Sequence, residues 1–542
     1  MTRCKARIAA GLIAFAGAVS LSMANAEDAY RVSELVGPSP FHGIHGIAVA
    51  PDGKILVGSV VGQAIYTVDP ATGAVAELIG PPNGMADDIA FARDGTMAWT
   101  GFLIGKVFVR KPGGPIVEVA KGLPGANSLA FTKDGRLYFT QVFLGDALYE
   151  ADVTGKKPPR KIGEKFGGLN GFEVGADGRI YGPLWFKGAV AAVDPKDGKV
   201  EVIVEGFKTP AAANFDSKGG LWAIDTAEGA LYSIDVKAKK RKKAALLLPA
   251  LDNLAVDAKN NIYITNMADN AVHRVDAKSG KVSTVVKGKL GALADIAIAH
   301  DGKDRALHVA DIFTYRQVDT KSGAVKTKLR MFGDALSYPS GVGVGPKHVV
   351  LASLSSNSVQ LIDRKTGKSK ALLHEFKAPT DAAETSDGRI LVLEAGSGSL
   401  LALQDAKGEK RKVIATGLTG AVAMALDGKG AAYVTSNDGK VTRVDLKDGT
   451  KAVVASNLSG PEGIDVAPDG RLIVAEVGAK RVSAIDPKSG AVTVIAQDLA
   501  IGLPAPEGQA PSFLTTGVAV DSKGTIYVAC DLTNAILKIK RK

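Results

Sequence analysis

One sequence unit recurs along most of the chain and limits what the chain can fold into. Its first copy, residues 46–75, is an apolar stretch, an Asp-Gly turn, a second apolar stretch, and a third that ends in an Asp-x-x-x-Gly hairpin. The turn recurs at intervals of 40 to 43 residues, except where the eighth copy has Pro346-Lys347-His348 instead and before the last copy. The turn positions are Gly53, Gly95, Gly135, Gly178, Gly219, Asn260, Gly302, Gly388, Gly430, Gly470 and Gly524. The pattern therefore gives twelve copies.

A period near 40 residues built only of short strands is typical of β-propeller blades, because one four-stranded sheet cannot bury both of its faces and must stack in a ring. Helical repeats of this length would show a 3.6-residue apolar period, which the sequence lacks. Twelve blades could form one ring, but the curvature of ordinary blades favours four to eight. The sequence therefore predicts an all-β fold of two tandem six-bladed β-propellers with four-stranded antiparallel blades.

The ends of the repeat predict how the two rings close. Residues 29–36 resemble the outer strand of a blade, whereas the last copy ends after its third strand. A ring closes best when no sheet edge stays open. We expect residues 29–36 to complete the blade at 251–276, and residues 281–286 to complete the final blade at 515–541. The predicted domains are residues 27–277 and 278–542.

Residues 1–26 have the pattern of a secretory signal peptide. Three basic residues precede an apolar run at Ile8–Leu21, and Ala24-Asn-Ala26 supplies a small-residue cleavage signal. A membrane anchor is the alternative, but the run is short for a span, and no later stretch is long enough to cross a bilayer. We expect a periplasmic or secreted protein with no membrane span after cleavage of the signal.

Composition limits the partners further. After loss of Cys4 with the signal, Cys530 is the only cysteine and cannot form an internal disulfide. The net charge of +11 is scattered, with its densest runs at Lys237–Lys243 and Lys407–Lys412. Solvated hairpins explain these runs better than a patch for an anionic partner. Nucleic acid binding would call for interleaved aromatic residues or a known module, and neither is present.

Polar residues just before the inner strands should point into the central channels. The first propeller offers there His45, Asp87, Asn127, Asn170, Ala211 and Asp252. Hard divalent ions prefer several oxygen ligands, and an ion here could polarise a lactone or ester carbonyl and activate water. His45 and Asp252 are the candidate catalytic residues, with His45 as a general base. The alternative is that these residues only hold ordered water in a wet channel.

Loops after the second strands should lie on the same face as these channel residues. In the first propeller they carry aromatic side chains, which we predict to bind substrate: Phe102, Phe143, Trp185 and Phe186. In the second propeller the candidates are polar, and Asp381 and Glu462 are chosen from its pre-strand positions. Residues 497–516 form a long Pro- and Gly-rich insertion, which suggests a lid or a docking surface for a protein partner.

The copies around residues 126–130 and 169–178 resemble the gluconolactonase (senescence marker protein) branch of the six-bladed propellers. NHL-repeat, strictosidine synthase-like and virginiamycin B lyase proteins are similar more loosely. The resemblance implies one calcium-type ion held by a Glu on blade one, an Asn on each of blades three and four, and an Asp on blade five. Asn127 and Asn170 match, and we add Asp87 as the third metal ligand. The other two positions hold His45 and Ala211, and a Glu motif like the family's occurs instead at Gly460–Ile464.

The predicted function is a metal-dependent hydrolase or lyase that acts on a small lactone, ester or aromatic compound, with calcium as the expected cofactor. The alternative is a non-catalytic propeller that binds a ligand or scaffolds a protein partner. The sequence contains no His-Glu-x-x-His, Cys-x-x-Cys, Walker or Gly-x-Ser-x-Gly motif. Gly341–Gly345 is glycine-rich but lies in an inner strand, so it does not indicate a dinucleotide site.

Overall fold

The computed structural model describes residues 29–300, 305–405, 407–509 and 512–542, so the predicted signal peptide lies outside the described residues. The strands form twelve four-stranded antiparallel sheets, consistent with two tandem six-bladed propellers as predicted. Two short 3-10 turns, Trp185–Lys187 and Val477–Ala479, each follow the second strand of a blade. Within the described ranges no helix is both long and apolar enough to span a bilayer.

The strands follow one another blade by blade. Those of the first propeller are β2–β5 (Ile44–Val49, Ile55–Ser59, Ala64–Val68, Val75–Ile79), β6–β9 (Ile89–Phe91, Met97–Gly101, Lys106–Arg110, Ile116–Ala120), β10–β13 (Ala126–Phe131, Leu137–Gln141, Ala147–Ala151, Arg160–Glu164), β14–β17 (Glu173–Val174, Ile180–Leu184, Ala189–Val193, Val200–Glu205), β18–β21 (Pro210–Phe215, Leu221–Asp225, Ala230–Asp235, Lys240–Leu246) and β22–β25 (Leu251–Val256, Asn261–Asn266, Ala271–Asp276, Val282–Lys287). Those of the second are β26–β29 (Leu293–Ala297, Ala306–Asp311, Thr314–Asp319, Val325–Arg330), β30–β33 (Gly341–Val344, His348–Ser353, Ser358–Asp363, Ser369–Leu373), β34–β37 (Pro379–Glu384, Ile390–Glu394, Ser399–Leu403, Arg411–Ala415), β38–β41 (Ala421–Leu426, Ala431–Ser436, Lys440–Asp445, Lys451–Ala455), β42–β45 (Pro461–Val466, Leu472–Glu476, Arg481–Ile485, Val492–Ala496) and β46–β48 with β1 (Val518–Val520, Ile526–Cys530, Ala535–Arg541, Tyr30–Val36).

The repeated turns have a backbone reason for their residues. At the first turn the Gly53 amide donates to the Ala50 carbonyl at 2.9 Å, and Gly53 has a φ of 84°. Side chains with a Cβ rarely adopt this left-handed conformation, but asparagine tolerates it better than most. Asn260, the predicted substitute, adopts a φ of 61° and donates to the Asp257 carbonyl at 2.8 Å. The Gly and Asn residues that recur in the sequence therefore mark turns that need a left-handed backbone.

Burial decreases outward through each blade. All five residues of β3 are buried, because this strand has a neighbouring blade on each face. The outer strand β5 exposes most of its residues and buries only Ile79 fully. The core therefore consists of apolar layers between successive blades, and the ring holds together by stacking of sheets.

The predicted closing strands are wrong. β1 pairs with β48, from Tyr30 opposite Arg541 to Val36 opposite Ile536, so residues 29–36 complete the final blade. β25 pairs with β24, so residues 281–286 lie in the same sheet as residues 251–276. The reason is the hairpin at residues 276–280, in which the Gly280 amide donates to the Asp276 carbonyl at 2.9 Å and returns the chain at once to its own blade. Only the second propeller therefore mixes strands from both ends of the chain.

The first propeller closes without a shared sheet, by apolar packing and by side-chain hydrogen bonds such as that from Thr265 to the His45 carbonyl. Its last blade lies against its first, and their apolar side chains share one core cluster that includes Phe41, Ile44, Ile55, Tyr263 and Val272. These side chains are buried, and burying a side chain of this size stabilises the fold by roughly 1.5–3 kcal/mol. A shared sheet is therefore not needed at this junction.

The two propellers meet at a buried interface that combines an apolar core, with Val61 and Met267 of the first propeller and Phe313 of the second, and ion pairs. Arg316 of the second propeller pairs with Asp311 at 2.5 Å and donates through Nη2 to the Ala268 carbonyl of the first. Arg330 pairs with Asp269 of the first propeller at 2.8 Å. The Arg330 and Lys287 side chains lower the pKa of Asp269, although burial opposes this shift. Because these ion pairs are buried and well hydrogen-bonded, losing one partner of either pair would be costly.

Candidate functional site

Polar side chains from opposite sides of the first propeller meet at one end of its channel. The Asn253 amide, on the sixth blade, donates to Asp88 Oδ1 on the second blade at 2.9 Å. A direct bond between blades that are not neighbours is possible only close to the ring axis. The structure therefore brings Asp87 and Asp252, the residues that precede these two, to the same axial region.

Asp88 and its neighbour Asp87 differ in their partners. Asp88 accepts hydrogen bonds from the Ile89 amide at 2.9 Å, the Leu129 amide at 3.2 Å and the Asn253 side chain. It therefore joins the second blade to the third and to the sixth. For Asp87 and Asp252, no side-chain hydrogen bond or ion pair is found within the described residues. We refer to Asp87 and Asp252 as the carboxyl pair.

The carboxyl pair resists ionisation. Burial raises the pKa of Asp252 to about 8, with the charge of Asp88 contributing. Burial also raises the pKa of Asp87 well above its usual range, helped by the charges of Asp252 and Asp88. Although protein surrounds them, both residues retain some contact with solvent in the channel. Near neutral pH the pair therefore holds protons that ordinary aspartates would have lost.

His45 lies at the same end of the channel as a neutral imidazole. Burial lowers the pKa of His45 to about 4. Its Nδ1 lies 3.5 Å from the Val60 amide, and its ring contacts the edge of Phe313, from the second propeller, with 5.5 Å between centroids. At neutral pH the His45 ring is therefore uncharged.

The predicted asparagine ligands lie side by side on adjacent blades. The Ser128 hydroxyl is 2.8 Å from Asn127 Oδ1 and 3.1 Å from Asn170 Oδ1, and the Gly171 amide donates to Asn170 at 2.9 Å. No hydrogen bond joins either asparagine to Asp87 in the described part of the chain. Nor does that part contain three or more His, Cys, Asp or Glu side chains grouped to hold a metal ion. The metal site with Asp87, Asn127 and Asn170 stays a prediction.

The four predicted aromatic residues form one continuous cluster. The Phe143 ring lies 6.2 Å from Phe102, 5.2 Å from Trp185 and 5.7 Å from Phe186, measured between centroids, with interplanar angles of 65°, 84° and 85°. Phe143 is 45% exposed and Phe186 60% exposed. Phe143 also holds a left-handed φ of 69°, which costs a non-glycine residue of order 1 kcal/mol. An exposed aromatic group on a strained backbone is typical of a binding surface.

The second propeller contributes aromatic residues that the sequence analysis missed. Phe332 contacts Trp185 with centroids 5.9 Å apart, and Phe313 contacts both His45 and Tyr338. Burial raises the pKa of Tyr338 to about 12, and the charges of Asp252 and Asp87 contribute. The one sequence signal was residues 331–340, an irregular segment with Phe, Tyr and Pro between two strands. We call the rings of Phe102, Phe143, Trp185, Phe186, Phe332 and Tyr338 together the aromatic cleft; Phe313 is only 3% exposed and belongs to the apolar core between the propellers.

The second-propeller candidates have structural partners. Asp381 accepts from the Ala382 amide at 2.7 Å and from the Met424 amide of the next blade at 2.8 Å. Asp295 and Asp465 make the same bridge to Val342 and Val520. We call these three side chains the carboxylate clips, because each joins an inner strand to the next blade. They lie along a cavity of about 1190 Å³ in the second channel.

Glu462 anchors the long insertion. Its Oε2 accepts from the Thr516 amide at 2.6 Å, and burial raises its pKa to about 7. The insertion reaches the first propeller, where Gln63 donates to the Pro504 carbonyl at 2.6 Å and Lys106 pairs with Glu507 at 2.8 Å. Residues 510 and 511 lie outside the described residues. Residues 497–516 thus contact the other propeller of the same chain, and a protein partner there stays a proposal.

The known proteins that this chain resembles are distant from it. No protein-family model matches the chain, and no match is found among curated proteins. A streptogramin B lyase structure is 18% identical over 53% of this chain and 96% of its own, with a TM-score of 0.39. The extracellular domain of a protein described as a one-component system of B. thetaiotaomicron is 11% identical, covering 94% and 78%, with a TM-score of 0.33. PorZ, a surface component of the type-IX secretion system of Porphyromonas gingivalis, is 11% identical, covering 94% and 86%, with a TM-score of 0.40. At such values these similarities carry no argument about function.

Proposed function

We propose that this is an exported propeller protein that acts as a hydrolase or lyase on a small lactone, ester or aromatic compound in the aromatic cleft. The observation that carries the proposal is the carboxyl pair of Asp87 and Asp252, which lacks side-chain partners in the described residues and lies close enough to Tyr338 for its charges to help raise the pKa of that side chain. Partner-free carboxyls in a cleft are a common starting point for acid–base chemistry. The aromatic rings supply the apolar surface that a small organic substrate needs.

The carboxyl pair suits proton transfer at neutral pH. With a pKa of about 8, Asp252 holds a proton that it can give to a leaving group, and it can take one back afterwards. Asp87 is the neighbouring carboxyl whose charge would change the protonation of Asp252. His45 is neutral there, so we assign it a positioning role through its ring nitrogens and keep Asp252 as the catalytic residue.

A divalent cation is a second element of the proposal. The carboxyl pair fits such an ion because it offers carboxylate oxygens that carry no other side-chain bond in the described residues. Asn127 and Asn170 would have to turn their amide oxygens away from Ser128 to join it. When bound, calcium would polarise a substrate carbonyl and lower the pKa of a bound water.

A ligand-binding or scaffolding protein without catalysis is the second candidate function. It is favoured by the apolar surface of Phe143, Leu144 and Phe186, whose exposed fractions are 45%, 56% and 60%. Monomeric proteins rarely leave such contiguous apolar surface exposed without a use for it. Residues 497–516 are the expected contact for a protein partner, because they form a long insertion rich in Pro and Gly.

The test measures turnover and metal binding together. We expect the wild type to hydrolyse or cleave members of a panel of lactones, aryl esters and aromatic compounds, and Asp252→Asn to lose at least 100-fold of that activity. Calcium, manganese and zinc are titrated while the melting temperature is followed. We expect Asn170→Ala to abolish a metal-dependent shift and Glu462→Ala to spare it. The absence of turnover, together with no change in melting temperature with any metal, would contradict the enzyme hypothesis and favour the binding protein.

A further inference from the structure

Five loops of the first propeller form one continuous surface at the end of its blades. We call this surface the loop face; it consists of residues 121–125, 142–146, 165–168, 185–188 and 206–209. A backbone hydrogen bond of 2.8–3.0 Å joins each loop to the next, donated by the amide of Val142 to Gly125, of Lys165 to Asp146, of Phe186 to Gly167 and of Phe207 to Gly188. The five loops therefore lie side by side.

Three apolar side chains protrude from the middle of the loop face. Phe143 and Leu144 lie in one loop and Phe186 in another, and all three are exposed. The rings of Phe143 and Phe186 are in contact, with 5.7 Å between their centroids, so the apolar groups form one patch. Covering such a patch with another apolar phase is favourable, because it removes apolar surface from water.

The charged side chains of the loop face are almost all basic. Its five loops contain one acidic residue, Asp146, which accepts hydrogen bonds from the Gly167 amide at 2.8 Å and the Gly168 amide at 3.2 Å. They contain four lysines, all exposed: Lys121, Lys165, Lys187 and Lys208. The apolar patch is therefore surrounded by positive charge.

Acidic residues just outside the loops do not neutralise this charge. Glu164, at the end of β13, pairs with Lys161, and Glu118 lies 4.0 Å from Lys121. Glu205 is exposed at the end of β17. In the described part of the chain, no ion pair joins a carboxylate to Lys165, Lys187 or Lys208. These three ammonium groups are therefore available to an anionic surface.

We propose that the loop face docks on a lipid surface that carries anionic headgroups. The apolar patch would enter the boundary between headgroups and acyl chains, and the lysines around it would lie among the headgroup phosphates. Apolar area and attraction of basic residues to anionic lipids are the two terms that hold a peripheral protein on a bilayer. Phe143, Leu144 and Phe186 supply the first term, and the lysines supply the second.

The composition of the loop face favours a lipid over a protein partner. Protein interfaces are enriched in Arg and depleted in Lys, whereas the loop face has four lysines and no arginine. A lysine is a compact charge on a flexible stem, which suits a fluid array of phosphates better than a fixed carboxylate. Apart from these lysines and Asp146, Thr209 is the only residue of the loops with a hydroxyl, carboxyl or amide side chain. The loop face therefore offers little directional hydrogen bonding to a protein.

The experiment measures binding to vesicles of two compositions. One is phosphatidylglycerol and phosphatidylcholine in equal parts, and the other is phosphatidylcholine alone. Residues 27–542 are used, because the apolar run at residues 8–21 would bind lipid by itself. Each lysine near an anionic surface strengthens binding about fivefold, so we expect at least tenfold stronger sedimentation with the anionic vesicles, reduced by salt. Lipids brominated in their acyl chains should quench Trp185, which lies 5.2 Å from Phe143 between ring centroids.

Variants test the two terms separately. Phe186→Ser should weaken binding to the anionic vesicles at least tenfold, and Leu144→Ser replaces it if its melting transition is lost. The double variant Lys165→Glu with Lys187→Glu should also weaken binding at least tenfold.

Matched controls lie elsewhere on the surface. Lys240→Glu reverses an exposed charge in the densest basic run of the chain, at the opposite end of the blade. Val453→Ser removes an apolar side chain of the second propeller that is 59% exposed, against 60% for Phe186. Both controls should bind the anionic vesicles within twofold of the wild type.

Three outcomes overturn the inference. Equal binding to both vesicle compositions, or to neither, contradicts the lipid partner. An equal loss in Lys240→Glu, or no loss in Phe186→Ser, shows adsorption by net charge alone. If the protein self-associates in sedimentation, vesicles do not bind and Phe186→Ser gives a monomer, then a second copy of the chain is the true occupant.

The inference goes beyond the proposed function, because it needs neither the carboxyl pair nor catalysis. Asp252→Asn should therefore bind the anionic vesicles as the wild type does, even where it loses turnover. If no compound of the panel is turned over but vesicle binding depends on Phe186, the docking surface stands and the enzyme is wrong. If turnover depends on Asp252 but the vesicles are not bound, the enzyme stands and the docking surface is wrong.

Discussion

The two propellers gather acidic side chains around their axes, and they use them differently. In the second propeller the carboxylate clips Asp295, Asp381 and Asp465 each satisfy two backbone amides, one of them on the next blade. In the first propeller Asp88 has the same task, whereas Asp87 and Asp252 have no such bonds in the described residues. A carboxylate that closes a backbone bond supports the fold, and one that does not is free for a ligand. The difference lies in hydrogen bonding, since burial raises the pKa of Asp252 and of Asp381 alike.

Removing the strand that only the second propeller borrows should give the largest effect. Deletion of residues 30–36 leaves β48 with an open edge and removes the buried Val36 side chain from its core cluster, so we expect the second propeller to lose on the order of 5 kcal/mol in free energy of unfolding. All three tryptophans, Trp99, Trp185 and Trp222, lie in the first propeller. The unfolding midpoint followed by tryptophan fluorescence should therefore stay unchanged, while circular dichroism should show an additional transition at a lower midpoint. Equal shifts in both signals would mean that the propellers do not unfold separately.

Substitution of one acid in each propeller tests the comparison directly. Asp381→Ala leaves the Ala382 and Met424 amides without partners, and we expect a loss of about 3 kcal/mol. Asp252→Ala removes a carboxyl without such bonds, so its effect should stay within about 0.5 kcal/mol or be stabilising. Urea unfolding monitored by circular dichroism measures both. If Asp252→Ala is as costly as Asp381→Ala, the carboxyl pair has a structural role.

The raised pKa values give the stability a definite pH dependence. Asp252 has a folded pKa of about 8 against an ordinary value near 4, so between these values the folded state binds more protons than the unfolded state. Stability should therefore be highest at the acidic end and fall as pH rises to about 8, by at most roughly 1.4 kcal/mol per pH unit for each such group. Asp252→Asn should make the decline shallower in a series of melting curves from pH 5 to 9. An unchanged slope would place the proton uptake elsewhere.

The contact between the long insertion and the first propeller should give the smallest effect. Lys106 pairs with Glu507, whose side chain is 68% exposed. An exposed ion pair is worth about 0.5 kcal/mol or less and is screened by salt. We expect Glu507→Ala to change the melting temperature by less than 1 °C, and a clearly larger change would show that the insertion helps to hold the propellers together.

Much of the fold could be predicted, because the turns that set the repeat are obligatory. Gly53 and its equivalents need a left-handed backbone, so they mark each blade in the sequence as they do in space. The closure was mispredicted because residues 29–36 and 281–286 both have the alternating pattern of an outer strand, and either could complete either blade. The deciding signal was present in the hairpin at residues 276–280, which has the form found in other blades.

The candidate site could be predicted only in part. Asp87 and Asp252 each lie at the start of an inner strand, which predicts that they are near the axis. Phe143 and Trp185 each follow a second strand, which predicts that they lie on the same face. Sequence could not show that Asp88 and Asp381 have backbone partners, because these depend on the distance to the next blade. Nor could it place Tyr338 and Phe332 beside the first propeller, because that follows from how two rings pack.

The second propeller begins and ends with strands from opposite ends of the chain, with the whole first propeller between them, and this order has a consequence for folding. β1 and its partner β48 are separated by nearly the whole chain; the hydrogen bond from Ser33 to the Lys538 carbonyl spans 505 residues. The intact first propeller shortens that path, because Ser39 accepts from the Leu290 amide at 3.0 Å and brings its entry and exit segments together. Once the first propeller has formed, β1 lies next to the start of the second propeller, where the final blade forms. The first ring to be synthesised therefore serves as the template on which the second is completed, and the earliest strand is the last to find its neighbour.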